Sequence, residues 1–283
     1  MCIRDRNRAL SVNHSSRMKC DRTMSAMMPC RSWSARHHWR PDIKMTNYIN
    51  FENLESINPA EFRGTSPYPW INPEGLLTDE GYDRLLNNMP DVSLFEKKFG
   101  YGRIAGQKPH DRYSLEYTSG TPVPAAWKEF IDELRSDRYR NAIARLYNAK
   151  KINFRFHWHY TPDGCSVSPH TDSVREHGSQ LFYFNSEDDW DPAWGGHTLV
   201  LDDGGKLEFE SAPTFDDFDN EIVANCMGNH SLIFQRTRHS WHAVREINCP
   251  EGSLRKVFII VANPENLYRR VRDRVMRKTV QRF

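Results

Sequence analysis

At 283 residues and 33.2 kDa the chain is long enough to bury one full core. A mean hydropathy of −0.75, with no apolar run near about 18 residues, excludes a transmembrane helix. The formal charge of +2 is unevenly spread: residues 1–44 hold ten Lys or Arg and three acids, a net of +7, so the remaining 239 residues carry −5. An acidic body matches a phosphate backbone poorly and argues against a nucleic-acid partner.

Residues 1–44 lack a periodic apolar face and are expected to be a disordered basic tail. Arg- and Ser-rich composition of this kind suits an organellar transit peptide or a nucleic-acid arm. A third reading is favoured here. Met1-Cys2-Ile3-Arg4-Asp5-Arg6 resembles translated sequencing-adaptor read-through and Met45-Thr46-Asn47 reads as a start, so the tail is expected not to be native. Three of the six cysteines, Cys2, Cys20 and Cys30, fall in it. Cys165, Cys226 and Cys249 are scattered through the body, without CxxC pairs. That pattern argues for a reducing, cytoplasmic compartment, with neither a disulfide framework nor a structural zinc.

Residues 45–150 read as a helical and turn-rich support region. Ser66-Pro67-Tyr68-Pro69-Trp70 cannot be helix interior, because proline removes a donor and restricts the residue before it. Thr78 is placed to cap a helix in which Tyr82, Leu85, Leu86 and Met89 recur at helical spacing before Pro90. A second helix is expected from Pro124, with Trp127, Phe130, Ile131 and Leu134 on one face. A third carries Tyr139, Ile143, Leu146 and Tyr147. These stripes read as packing faces. The segment from Gly100 to Ser119, with several Gly and Tyr and His110, reads as a surface loop and is a candidate substrate loop.

Residues 151–265 read as the core. Phe154, Phe156, Trp158 and Tyr160 alternate with Arg155, His157 and His159, a strand with one buried face. Thr161-Pro162-Asp163-Gly164 turns the chain, and Cys165 to Asp172 runs back. Further strands are expected at Gln180–Asn185, His197–Leu201, Ser231–Gln235 and Arg255–Val261. Asp202-Asp203-Gly204-Gly205 is expected to be a hairpin turn with Lys206–Glu210 as its return. Many short strands without alternating helices indicate a mainly β fold with flanking helices (α+β), its core an antiparallel barrel or jelly roll. Residues 266–283, with Arg269, Arg270, Arg272 and Arg274, read as a basic C-terminal helix with a solvated face.

The chemistry centres on Ser168-Pro169-His170-Thr171-Asp172. His170 and Asp172 can share one metal if the backbone there is extended, because residues two apart on a strand point the same way. The second half of such a site is expected from Arg238-His239-Ser240-Trp241-His242. Two His and one carboxylate on one face of a metal form the facial triad of non-haem Fe(II) oxygenases. Beyond it, Arg255, Val257, Ile259 and Val261 share a face, which sets a cation at the mouth of an apolar pocket. Arg245 competes with Arg255 but lies only three residues after His242, too near to reach from a facing strand.

His-X-Asp, a distal His and an Arg opening the next strand together resemble the 2-oxoglutarate- and Fe(II)-dependent oxygenase superfamily. Phe182-Tyr183-Phe184-Asn185, Trp190-Asp191-Pro192 and Gly195-Gly196 resemble its prolyl 4-hydroxylase-like branch. The likeness spans residues 150–263, and one departure is His197 where the branch usually carries Glu. The resemblance implies a double-stranded β-helix (jelly roll, cupin-like) with Fe(II) held by His170, Asp172 and His242. Trp241 before that histidine and Val244 after it match the family context better than the surroundings of His239. Arg255 would hold the distant carboxylate of 2-oxoglutarate, with Tyr160 and Tyr183 reaching the same group or serving as plain core tyrosines. O2 is the oxidant, and the likeness extends to ascorbate as a supporting reductant. The implied activity is hydroxylation of an unactivated C–H bond in a prolyl or other amino-acid-like substrate, a small molecule or a peptide, with release of succinate and CO2. His157, His159, His177, His197 and His230 are read as satisfied or exposed, with His197 also able to line the pocket. Two other readings remain: a non-catalytic cupin-like metal- and ligand-binding protein, which needs no dicarboxylate anchor such as Arg255, and a nucleic-acid demethylase of the same superfamily.

Overall fold

Side-chain caps start most of the helices that lead into the sheets. A computed structural model of the protein describes residues 47–103 and 106–265; the tail at 1–44 and the basic stretch at 266–283 lie outside the described residues. Helix α1 (Phe51–Ser56) begins where the Asn50 side chain accepts from Asn53 N, and α2 (Pro59–Gly64) where Asn58 accepts from Ala60 N. In α3 (Asp79–Leu86) the Thr78 hydroxyl accepts from Gly81 N at 3.0 Å, as the sequence pattern predicts. That helix ends at Leu86, short of Met89, because the Asn87 and Asn88 amides turn back onto Asp83 O and Leu85 O to close its last turn. Helices α4 (Ala125–Leu134) and α5 (Asp137–Leu146) follow, the second capped by Ser136.

Among the described residues, eleven strands make two antiparallel sheets. They are β1 (Trp70–Ile71), β2 (Glu96–Lys98), β3 (Arg112–Glu116), β4 (Ile152–Thr161), β5 (Val167–His170), β6 (Gly178–Tyr183), β7 (Thr198–Asp202), β8 (Asn220–Ala224), β9 (Ser231–Gln235), β10 (His242–Val244) and β11 (Arg255–Pro264). The larger sheet runs β1-β9-β6-β11-β4-β3-β2 and the smaller β5-β10-β7-β8. The N-terminal region therefore supplies three strands of the larger sheet besides its helices. One of them, β3, lies in the Gly100–Ser119 segment, where a loop is expected from sequence.

The expected return strand at Lys206–Glu210 is not formed. β7 pairs with β8 instead, Thr198 opposite Ala224 and Asp202 opposite Asn220. The cause is local: buried Asp203 accepts from Gly205 N and Leu207 N, which winds the chain into a side-chain-capped loop where a two-residue turn would have started a hairpin.

Strand alternation then sorts the core. On β4 and β11, Trp158 lies opposite Phe258 and Phe156 opposite Ile260, and this face meets α4. Trp127, Phe130, Ile131 and Leu134 of that helix are fully buried, with the Trp127 ring 5.1 Å from Trp158 and 5.0 Å from Phe258. The other face looks toward the smaller sheet, where Tyr183, Val200, Phe234 and Val257 make a second cluster. The architecture is mainly β: a jelly roll with helices on its outer face. No helix among the described residues is long and apolar enough to cross a membrane.

Candidate metal and cosubstrate site

The two histidines meet because their strands pair. β5 and β10 run antiparallel with His170 directly opposite His242, and their ring centroids are 4.2 Å apart. Asp172, two residues past the end of β5, closes the group, and the three ligand atoms lie within 4.8 Å of one another. His242 Nε2 and Asp172 Oδ1 are 3.7 Å apart.

The hydrogen bonds around the triad prepare it for a cation. His170 Nδ1 lies 3.0 Å from Ser168 O and His242 Nδ1 3.0 Å from Ser240 O. A carbonyl can only accept, so each Nδ1 carries a proton, the tautomer that leaves Nε2 as the metal-binding nitrogen. Burial, reinforced by neighbouring His242 and His110, holds the His170 imidazole well below its ordinary pKa and therefore neutral. Ser179 Oγ donates to Asp172 Oδ2 at 2.8 Å, leaving Oδ1 to the histidines' side, and Arg236 Nε donates to Asp172 O at 3.2 Å. Two imidazoles and one carboxylate fit a divalent first-row metal with open positions.

Arg255 opens β11 opposite Thr161 and is 6% exposed. Its Nε donates to Gly196 O, its Nη2 donates to Thr198 Oγ1 at 3.0 Å, and the guanidinium stands 5.7 Å from the centre of the Tyr183 ring. No carboxylate among the described residues pairs with it. A buried cation without an anion is costly, so this position suits an anionic ligand. Thr198 completes the cradle, because Tyr183 OH also donates to Thr198 Oγ1, at 2.9 Å. An oxygen accepting twice has its own proton free to donate onward.

The close approach of Arg255 explains the glycine pair. Gly196 has φ +86°, and a Cβ there would stand 3.0 Å from Arg255 Cδ and 3.2 Å from the Trp190 ring.

Other residues weighed from sequence fall elsewhere. Tyr160 is a correction: alternation along β4 turns it to the helix-facing side, where its hydroxyl donates to Pro90 O and its ring stacks on Phe95 at 4.2 Å. It is not brought to Arg255. His239 Nδ1 is 2.8 Å from Asp203 Oδ2, in the loop after β7. Arg245 pairs with Glu221 at 2.6 Å. His197 contacts Ala224 O and the buried Cys226 thiol, the thiol being the main reason its pKa is raised.

His157 and His159 share the inner face of β4 with Arg155, and burial holds both neutral, His157 down to about 3. Sequence reasoning did not reach Thr198, Ser179 or His110. Thr198 had a signal, since it is the first inward position after the glycine pair. His110 had little: it sits in the loop before β3, its ring 4.6 Å from His170 and its Nε2 3.0 Å from Ser168 Oγ.

No protein-family model matches the chain, and no curated protein does. Solved structures do. A Pseudomonas putida prolyl-4-hydroxylase superposes with a TM-score of 0.51 at 15% identity, over 73% of this chain and 98% of that one. A prolyl hydroxylase from Trichoplax adhaerens, in complex with a hypoxia inducible factor oxygen degradation domain peptide fragment, gives 0.54 at 13% identity, over 81% and 94%. The chain shares the fold of the prolyl hydroxylases. A non-haem alpha-ketoglutarate dependent carbocyclase from nogalamycin biosynthesis has it too, with a TM-score of 0.53 at 9% identity over 75% of this chain and 85% of its own. The prolyl-hydroxylase fold is thus this chain's scaffold, with the His170, Asp172 and His242 cluster on its smaller sheet and the loop leaving it.

Proposed function

We propose that the protein is a 2-oxoglutarate- and Fe(II)-dependent dioxygenase that hydroxylates an unactivated C–H bond. The observation that carries this is the joint presence of two sites: a His170, Asp172 and His242 cluster whose histidine Nδ1 atoms are turned to carbonyls, and a buried Arg255 with no carboxylate partner among the described residues. A metal-binding sensor needs the first and not the second. The folds of the prolyl hydroxylases and the carbocyclase support the reading, and a prolyl or other amino-acid-like substrate, free or in a peptide, follows from the branch they favour.

In this reading His170 Nε2, His242 Nε2 and Asp172 Oδ1 hold iron, and Ser179 keeps the other carboxylate oxygen occupied. Arg255 takes the distal carboxylate of 2-oxoglutarate, and Thr198 donates its hydroxyl proton to the same group while accepting from Arg255 and Tyr183. The bound iron and 2-oxo acid supply the oxidising chemistry, converting substrate C–H, O2 and 2-oxoglutarate into C–OH, succinate and CO2. The protein's residues place these partners beside the apolar cluster of Val257, Leu181 and Ile259, which excludes water.

The test is succinate release by the iron-loaded protein given 2-oxoglutarate and O2. His170→Ala and Asp172→Ala should each abolish it, and ascorbate is expected to sustain it. Turnover retained in either variant would overturn the proposal.

A further inference from the structure

The loop and strand that wall the triad on one side carry two half-buried guanidinium groups, Arg103 and Arg112, that no carboxylate among the described residues contacts directly. Arg103 Nε donates to Gln107 Oε1 at 3.2 Å, and Gln107, itself buried, donates to Ser211 O. Arg112 opens β3, its Nη1 donating to His110 O at 2.6 Å and its Nε reaching His159 Nε2 at 3.4 Å. His110 links Arg112 to the metal cluster through its contacts with His170 and Ser168. Neither Arg103 nor Arg112 has a carboxylate within salt-bridge distance among the described residues.

Other cations of this wall have carboxylates set directly against them or acting on them. Arg155 pairs with Glu176 at 2.7 Å and Lys98 with Glu96 at 3.7 Å, while Arg236 has Asp172, Glu176 and Glu210 acting on it. The carboxylate that acts on Arg103 is Asp172, a metal ligand in the proposed site. The one that acts on Arg112 is Asp111, whose Oδ1 accepts from Gly100 N at 2.7 Å.

Loading the site does not remove the excess. The charges of a divalent metal, Asp172, Arg255 and a 2-oxo dicarboxylate cancel, so Asp172 is spent on the metal, Arg103 is left without a carboxylate of its own, and Arg112 has only Asp111, which it does not contact directly. Burial, and for Arg112 the charge of Arg103 as well, lowers both guanidinium pKa values, Arg112 to about 10. Two like charges held together at a desolvated wall destabilise the free protein. An anion between them reverses that cost, and planar guanidinium groups bind carboxylate or phosphate in fork geometry.

We infer that the substrate is anionic, carrying a carboxylate or phosphate group that Arg103 and Arg112 hold while a neighbouring C–H bond faces the His170, Asp172 and His242 cluster. The inference rests on the oxygenase reading and narrows its substrate class. It places the recognised charge on the β3 side, apart from the Arg255 cradle that takes the cosubstrate.

The experiment is calorimetric titration of the full chain, once with Fe(II) and 2-oxoglutarate under argon and once with neither. The probes are N-acetyl amino acids with their amides, and sugar phosphates with their parent sugars, which separates carboxylate from phosphate as the recognised group. One anionic series should bind at least tenfold tighter than its neutral partners, and tightness should fall with added salt for the anions alone. Arg103→Gln and Arg112→Gln should reduce the preference to under twofold, and Arg103→Lys and Arg112→Lys should keep part of it. The salt series needs no variant, so misfolding cannot mask the result. Equal binding of anions and neutral partners, no binding of any anion, or a preference that survives in both Gln variants would overturn the inference. Failure of the oxygenase reading looks different: the anion preference would be intact and no succinate would form.

Discussion

Thr198 shows how one hydroxyl can decide a binding site. It accepts from Arg255 and from Tyr183, so its single proton is directed at whatever Arg255 binds. Thr198→Val keeps the shape and removes both the acceptor and the donor. A hydrogen bond to a charged group is worth roughly 1.5–3 kcal/mol, so the KM for 2-oxoglutarate should rise about tenfold or more with iron content unchanged. Tyr160→Phe is the matching control. Its hydroxyl serves Pro90 O on the far side of β4, so the substitution should cost about 1 kcal/mol in urea unfolding and leave that KM where it was. A raised KM in Tyr160→Phe would return this residue to the cosubstrate pocket. His239→Ala should likewise leave iron content intact, since its partner is Asp203 and not the metal cluster.

At the scale of elements, periodicity made most strands legible, and pairing partners were not. β4 and β11 announce themselves by alternation, and the inward set of Arg255, Val257, Ile259 and Val261 follows from their parity. The same parity could have excluded Tyr160, which shares its face with Phe156 and Trp158. The role of β3 was hidden, because a strand in a Gly- and Tyr-rich segment forms through its pairing with β4 and not through any pattern of its own. The hairpin after β7 misled for a physical reason: Asp-Asp-Gly-Gly is turn chemistry, but the Asp203 side chain captures the amides a return strand would have used. The triad was readable as His170 and Asp172 with a distal His, while the choice between His239 and His242 depends on which one stands opposite His170 across β5 and β10. The glycine pair gives this scale its prediction. Gly196→Ala asks for a left-handed backbone at φ +86° and a Cβ against Arg255 Cδ, which together cost about 1–3 kcal/mol. Urea unfolding should register that loss, and the KM for 2-oxoglutarate should rise with it because the side chain that moves is Arg255. A stability loss with no change in KM would separate Gly196 from the cradle.

Across the whole molecule, the inner face of the jelly roll concentrates histidines that must stay neutral to stay folded. Burial is the leading cause in each: it takes His110 to about 2, His157 to about 3, and His159 and His170 well below their ordinary value. Unfolded, each would take up a proton below about pH 6.5. The unfolded chain therefore binds more protons as the pH falls through that value, and stability is fully present above it and lost below it. Each such histidine costs about 1.4 kcal/mol per pH unit between its two pKa values, a large share of the roughly 5–15 kcal/mol that holds a domain together. Glu176, raised by burial and by Asp172, acts in the opposite sense, as do Glu116, Glu133 and His197, but the four strongly lowered histidines, joined by His177, set the sign. Urea unfolding of the metal-free chain should accordingly show stability falling from pH 7 to pH 5. His157→Asn should flatten that slope by about 1.4 kcal/mol per pH unit, because it deletes one proton site from the unfolded chain while leaving Glu176 in place. An unchanged slope in the variant would mean that His157 is protonated in the fold, and the charge balance of the substrate wall would then have to be redrawn with a third cation beside Arg103 and Arg112.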